Sequence, residues 1–312
     1  MSNYGLLYRL KQKSKYHFSN NEFEKRIAEI NRNNLVISTT DKSFKIISIP
    51  ELVFLRPQHE FVIDRLDLLL KLYRGAGSIS ICEDNVHFTS HNGIKQIINT
   101  AEEIFILNEI WNNGCYSFLI NSNKPIVLFD VGMNVGFASL FFSSIQAIQH
   151  IYAFEPFLPT YQNAIHNINL NAEAIAKITP INVGLSNRDQ ILEVDYSNEH
   201  RGRIGIWGTD LVYEKINQIQ KERLELRDFS KTIKPLLEKH TGFDVVLKID
   251  CEGSEYEILE SLDISLLSNT KCIMIEWHNN GPKVLSDKLN KAGFSLLSLY
   301  PTSNVGMLYG FK

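Results

Sequence analysis

The chain has no Cys-x-x-Cys pair. Its four cysteines, Cys82, Cys115, Cys251 and Cys272, lie far apart. That spacing argues against zinc ligands and a disulfide frame, and predicts reduced, mostly buried thiols in a cytoplasmic protein. Long apolar runs are missing too. Nowhere do the roughly 18 consecutive apolar residues of a membrane-crossing helix occur, so no transmembrane segment is expected. The opening residues, Met1-Ser2-Asn3-Tyr4-Gly5-Leu6-Leu7-Tyr8-Arg9, hold no apolar stretch of signal-peptide length. A formal net charge of −3 leaves no basic footprint, which speaks against sequence-independent nucleic-acid binding. No internal repeat or low-complexity tract stands out.

What remains is an ordinary globular composition, 44% apolar and 21% charged over 312 residues. That length predicts about two domains. Ile126-Val127-Leu128-Phe129 reads as a strand buried on both faces, as in the middle of a parallel sheet. Asp130 follows it, Gly132 and Gly136 frame a turn, and Phe137 to Phe142 begin a helix. Such a strand–turn–helix corner suits a nucleotide-type ligand. A dinucleotide fingerprint would place glycines at positions 134 and 137, where Asn134 and Phe137 stand instead. The motif is Asp-x-Gly-x-Asn-x-Gly. Asp130 can accept from an ammonium and the turn N–H groups can face a carboxylate, which suits the amino-acid end of S-adenosylmethionine better than phosphates. Further on, Ile151-Tyr152-Ala153-Phe154 predicts a second buried strand, ending in Glu155-Pro156, where a carboxylate can take both hydroxyls of a ribose. Either motif alone is also an ordinary strand with a solvated acid after it; the two in register are less so.

Before residue 120 no chemical constellation emerges. A helix from Asn20 or Asn21 to about Asn31 is expected to pack on the body or on a partner chain. Two hairpins are expected, Leu35–Thr39 with Phe44–Ile49 and Ser78–Ile81 with Val86–Thr89, together with helices over about Glu60–Tyr73 and Asn99–Trp111. Residues 1–96 are therefore read as an α+β accessory region that caps or positions substrate and could carry a homo-oligomer contact. Residues 97–312 are read as the catalytic domain. From Ile126 strands alternate with helices, the signature of a doubly wound, mostly parallel sheet. Ile178 to Val183 forms a third strand. Glu214–Glu225 reads equally as helix or long edge strand. His200 to Gly208 is a glycine-punctuated loop whose Arg201, Arg203 and Trp207 suit a substrate carrying sugar rings and anionic groups, or form an ordinary crossover.

Val245 to Ile249 delivers Asp250 and Glu252 to the carboxyl edge of the sheet, and Cys272 to Ile275 delivers Glu276, Trp277 and His278. Taken singly, Glu276 is a surface acid and His278 a loop histidine; their arrival at one edge with Asp130 and Glu155 makes a functional reading equally good. His278 is the natural general base there, since its ordinary pKa lies near 6.5. Asp250 with Glu252 could instead hold magnesium, but a clear third ligand is wanting, so the metal-free base is favoured.

The ordered set Phe129-Asp130-Val131-Gly132-Met133-Asn134-Val135-Gly136, Phe154-Glu155-Pro156 and Leu247 to Glu255, with Leu226-Arg227-Asp228-Phe229 and Ile275-Glu276, resembles the FkbM-type methyltransferase family over about residues 97–280. The resemblance implies a seven-stranded Rossmann-like sheet and S-adenosylmethionine-dependent methylation of a hydroxyl, among polyketide and sugar acceptors. Many members lie among polysaccharide-building genes. It also implies cofactor roles for Asp130, Gly132, Asn134, Gly136 and Glu155, with Pro156 and Val183 beside them. Met133 and Cys251 depart mildly from the family pattern, and neither removes a polar ligand. A nicotinamide-dependent sugar oxidoreductase and a non-catalytic cofactor-binding module are the competing readings. The missing dinucleotide glycines count against the first, and the intact Asp250, Glu252 and His278 edge against the second.

Overall fold

The computed structural model describes residues 36–40, 43–47, 52–55, 61–82, 85–117, 122–196, 220–299, 301–302 and 304–312. The expected helix near residues 20–31 lies outside them, as do Arg201, Arg203 and Trp207. Two compact units divide the chain, residues 1–115 and 116–312.

In the first unit, β1 (Val36–Thr40), β2 (Ser43–Ile47) and β3 (Leu52–Leu55) form an antiparallel meander. Its third strand was not anticipated. Helical residues follow as α1 (Phe61–Asp64) and α2 (Leu66–Gly75), with extended-side φ at Arg65 breaking the continuous helix that the apolar pattern predicts. Val62, Leu66, Leu69 and Leu72 nevertheless keep helical spacing and are buried. The second hairpin, β4 (Gly77–Cys82) and β5 (Asn85–Ser90), gains a third strand, β6 (Lys95–Ile98). Helix α3 (Ala101–Trp111) starts where Thr100 accepts from the Glu103 N–H at 3.2 Å, while the Glu103 carboxylate accepts from the Asn99 N–H at 2.5 Å. Asn108 on α3 donates to the Leu68 carbonyl on α2 at 2.9 Å. This helix lies within the first unit.

The second unit is built on β7 (Ile126–Val131), α4 (Phe137–Ser143), β8 (Ile148–Phe154), α5 (Leu158–Asn169), α6 (Ala172–Lys177) and β9 (Ile178–Ile181). After these come β10 (Gly184–Ser186), β11 (Gln190–Tyr196), β12 (Gln220–Asp228), α7 (Phe229–Lys239), β13 (Asp244–Ile249), α8 (Glu255–Ser261), β14 (Thr270–His278), α9 (Lys283–Lys291), β15 (Ser295–Leu299) and β16 (Val305–Phe311). The seven-stranded sheet runs β15-β16-β14-β13-β7-β8-β9, parallel except for β16, which pairs antiparallel with both neighbours. This is the Rossmann-like arrangement. Pro180 fits β9 because that strand is an edge, where a missing N–H costs no ladder bond.

All six residues of β7 and of β13 are buried, the uninterrupted burial expected of central parallel strands. On one face, Val127, Phe129, Val131, Leu247, Ile249 and Ile275 pack with Phe229, Ile233, Ile258, Leu259, Leu285 and Leu289 of α7, α8 and α9. β10, β12 and β11 form a separate three-stranded sheet, in which Gln190–Tyr196 pairs antiparallel with Gln220–Asp228. That pairing settles the undecided charged stretch as strand from Gln220 onward. From β7 the chain moves outward to β8 on one side and returns to β13 on the other. The crevice at their carboxyl ends is thus the topological switch point, where ligands of such sheets bind.

Candidate active site

Both walls of the crevice are acids brought together by register. Lys248 and Asp130 are ladder partners on β13 and β7, so their side chains leave the same face. Lys248 Nζ lies 3.0 Å from Asp130 Oδ1 and 3.5 Å from Asp250 Oδ2, and donates to the Gly132 carbonyl at 2.5 Å. The Ser139 hydroxyl of α4 donates to Asp130 Oδ2 at 2.5 Å. Burial works against the charge on Lys248, yet the fields of Asp130 and Asp250 prevail and hold its pKa above the ordinary lysine value. Asp130 is 0% exposed. This carboxylate, expected to accept from a ligand ammonium, faces Lys248 and Ser139 in the structure. Lys248 was not singled out from the sequence, although a lysine inside an otherwise apolar strand is itself a signal, because burial of an amine demands a partner.

Gly132 has φ of 83°, and a Cβ there would lie 1.7 Å from the Asp250 carbonyl oxygen. No side chain can fit, so the ends of β7 and β13 meet backbone to backbone. Asn134 also takes a positive φ, 52°, which asparagine tolerates better than most residues. The N–H groups from Gly132 to Gly136 are all engaged inside the protein. Gly132 and Met133 donate to the Phe154 carbonyl, Asn134 to Glu155 Oε2, Val135 to its neighbour's Oδ1 and Gly136 to the Met133 carbonyl. Three of the five thus go to the end of β8 and to Glu155 after it, while those of Val135 and Gly136 stay within the turn.

Glu155 follows that end. Its Oε2 accepts from Asn134 N–H and its Oε1 from Phe157 N–H, both at 2.9 Å, at 5% exposure. Burial pushes its pKa up to about 7, against the two backbone donors and Lys248, which pull it down. Each oxygen keeps a second lone pair. Asn182 donates to the Glu155 carbonyl at 2.8 Å and braces the strand end. Pro156 is partly exposed and lies against Gly184, whereas Val183 is 3% exposed within the apolar core.

On the other side, Asp250, Glu252 and His278 present ligand-type atoms all within 4.8 Å of one another. Glu252 holds φ of 52° and Gly253 φ of 112°; a non-glycine residue in the left-handed region stores roughly 1–3 kcal/mol of strain, a feature that clusters at functional sites. Glu255, 0% exposed, organises the group. Its Oε1 accepts from His278 N–H at 2.7 Å and faces His278 Nδ1 at 3.1 Å, while Oε2 accepts from Gly253 N–H at 2.8 Å. His278 Nε2 turns toward Glu252 Oε2 at 3.4 Å, with Glu276 Oε1 at 4.0 Å. Burial lowers the His278 pKa, but the Glu255 hydrogen bond and the fields of Glu252 and Asp250 overcome it and push the ring up to about 10. The ring expected to act as a base therefore lies among carboxylates that favour its charged form. Glu255 was quoted within the motif without a role, because only the fold shows that it faces a histidine on another strand.

Residues 130–296 match the family described as the methyltransferase FkbM domain. That span is just over half of the sequence. The chain belongs to the FkbM methyltransferase family. The matched segment opens at Asp130 and runs through Glu155, Lys248, Asp250, Glu252, Glu255 and His278, so the FkbM domain contains every crevice residue described above. Methyltransferase sdnD of Sordaria araneosa is 26% identical over 210 residues, covering 59% of this chain and 78% of that protein. AMB antimetabolite synthetase AmbE of Pseudomonas aeruginosa is 26% identical over 242 residues, covering 64% of this chain but 11% of that one. Among solved structures, methyltransferase FkbM of Methylobacillus flagellatus is similar at 13% identity and a TM-score of 0.38, covering 80% of this chain and 60% of that one. Streptococcus pneumoniae Sp1610 in complex with S-adenosyl-L-methionine is similar at 15% identity and a TM-score of 0.37, covering 63% and 69%. At such scores the likeness is distant, and the fold assignment rests on the sheet order itself. Membership in a methyltransferase family decides against the nicotinamide oxidoreductase. Among the described residues no helix is long and apolar enough to cross a membrane.

Proposed function

We propose that this FkbM-family protein is an S-adenosylmethionine-dependent O-methyltransferase acting on a hydroxyl of a sugar or glycan-like acceptor. The observation that carries the reading is the meeting of Asp250, Glu252 and His278 within 4.8 Å at the switch-point crevice, beside the glycine turn. A hydroxyl is a poor nucleophile and must shed its proton as its oxygen attacks; an amine would not need so many acceptors beside it.

The cofactor fits the residues present. A Cβ at position 132 is excluded by the Asp250 carbonyl, so the turn stays close against the end of β13. Glu155 is a buried carboxylate with unused lone pairs, suited to the two hydroxyls of a ribose. Gly132, Asn134, Gly136 and Pro156 would border the cofactor, with Asp130 and Val183 holding the strand ends from within. When bound, S-adenosylmethionine supplies a methyl on a sulfonium, which leaves as a neutral thioether. For this chain's own part, a carboxylate at the edge, Asp250 or Glu252, takes the hydroxyl proton as the new oxygen–carbon bond forms. His278, held by Glu255, keeps those carboxylates in place and balances their charge. Arg201, Arg203 and Trp207, outside the described residues, are proposed to meet the sugar. Residues 1–96 are proposed as accessory to a domain over 97–312, in a cytoplasmic enzyme of polysaccharide biosynthesis.

The test is direct. Purified protein with S-adenosylmethionine and a panel of mono- and oligosaccharides is expected to yield methyl ethers, seen as a mass increase of one methylene and mapped by fragmentation. Methylation confined to amino-bearing acceptors, or none with any hydroxyl acceptor, overturns the assignment. Comparing surface glycan from cells with and without the gene then identifies the natural acceptor.

A further inference from the structure

We propose that Asn280 is a site of spontaneous modification, where the chain converts its own amide to aspartate and isoaspartate with water as co-reactant. Three Asn-Gly pairs occur in the sequence, Asn92-Gly93, Asn113-Gly114 and Asn280-Gly281. In such a pair no side chain on the second residue keeps its nitrogen from the asparagine Cγ. The glycine nitrogen gives its proton to hydroxide and forms a bond to Cγ. The Cγ–Nδ2 bond then breaks, and the amide nitrogen leaves as ammonia. Water opens the resulting ring imide. Breaking the Cγ–N bond gives aspartate; breaking the main-chain carbonyl–N bond gives isoaspartate, whose backbone is longer by one methylene. Nothing is oxidised or reduced.

All three asparagines are exposed, so it is the fold that separates them. The Gly93 N–H donates to the Ser90 carbonyl at 2.9 Å, and the Asn92 side-chain oxygen accepts from the Ser90 hydroxyl. Nucleophile and target are both held there. The turn at Gly114 is wrapped onto the end of α3, with Asn113 N–H on the Asn108 carbonyl and Cys115 N–H on the Glu109 carbonyl, at 2.9 and 3.0 Å. The Gly281 N–H makes no hydrogen bond among the described residues, and a Cβ at position 281 would meet nothing within 4 Å. This nitrogen can close the ring in open space.

Conversion at Asn280 reaches the crevice through the loop that carries it. Asn280 N–H donates to the His278 carbonyl at 2.7 Å across Asn279, whose φ is 63°. That is a γ-turn of the rare, strained hand. Asn279 N–H donates to the Asn304 carbonyl at 2.6 Å, and the Tyr256 hydroxyl of α8 to the Gly281 carbonyl at 3.0 Å. A methylene inserted between Asn280 and Gly281 moves these anchor points apart, so the ties cannot all persist. The product also places a new carboxylate two residues beyond His278.

The folded full chain is aged in mildly alkaline buffer, digested and read by mass spectrometry, with fragmentation separating isoaspartate from aspartate. Asn280 is expected to lose its amide about tenfold faster than Asn92 or Asn113, the effect of the hydrogen bonds that those two must break. In the urea-unfolded chain the three should react at similar rates, since glycine follows each. Equal rates in the folded protein overturn the proposal, as does conversion of Asn280 only after unfolding. Asn280→Gln should leave position 280 unconverted. The aged, isoaspartate-rich fraction is expected to melt at a lower temperature than Asn280→Asp, which gains the charge without the methylene. Equal melting would refute the loss of the loop's ties.

Discussion

Lys248 Nζ lies 3.0 Å from Asp130 Oδ1 between the two central strands, with both side chains almost wholly buried. Through the same ammonium these strands share the Gly132 carbonyl and Asp250. One residue thereby couples the glycine turn to the acidic edge.

Removing that ammonium leaves a buried carboxylate uncompensated. Lys248→Met is expected to destabilise the second unit by roughly 3–5 kcal/mol, the cost of breaking a buried pair from one side. Pairing it with Asp130→Asn should recover much of the loss. Urea unfolding of the three variants checks this; equal stability of Lys248→Met and the unaltered protein would refute the coupling.

At Gly132 an added methyl would meet the Asp250 carbonyl at 1.7 Å, on a backbone with φ of 83°. Gly132→Ala must push β7 and β13 apart at their ends. A loss of at least about 1–3 kcal/mol is expected from backbone strain alone, together with loss of cofactor affinity. Thermal unfolding and calorimetry measure the two effects. A stable variant with intact cofactor binding would show that the close approach is dispensable.

Glu155 is held at a pKa of about 7 by burial, above its ordinary 4.5. Between those values the folded protein keeps a proton that the unfolded chain has released. Stability therefore falls as pH rises through that window and levels off above it, by an amount on the order of 3 kcal/mol. Glu155→Gln should flatten this slope in denaturant titrations across pH 4.5–8. A slope unchanged in the variant would assign the effect to other groups.

Ribose hydroxyls donating to Glu155 favour its ionised form, so cofactor binding should release a proton below about pH 7 and tighten as pH rises. Calorimetry in buffers of different ionisation enthalpy reads the proton directly. Glu155→Ala should weaken binding about tenfold to a hundredfold, from hydrogen bonds to a charged group worth roughly 1.5–3 kcal/mol. Unchanged affinity in a folded variant would remove Glu155 from the cofactor's contacts.

For acceptor recognition, Trp207→Ala is expected to raise the acceptor KM while leaving cofactor affinity intact. Unaltered acceptor kinetics would leave the His200–Gly208 stretch as a plain connection.

Local pattern was enough for much of this protein. Four apolar residues in a row before Asp130 read as a doubly buried strand, and β7 is one. The helix expected over about Asn99–Trp111 is α3, Ala101–Trp111. Strand-end acids follow directly from strand positions, which is why the crevice residues could be named from their order along the chain. Local pattern failed where a residue's state depends on what the fold sets across from it. Asp130 is turned inward because parallel register puts Lys248 beside it. The first three turn N–H groups are engaged because Phe154 and Glu155 arrive from a neighbouring strand. His278 is drawn toward its charged form because Glu255, Glu252 and Asp250 arrive from another chain segment. Identity and spacing determine which groups reach the sheet edge; their pKa, pairing and availability are Coulomb and desolvation quantities that vary with distances only tertiary structure sets.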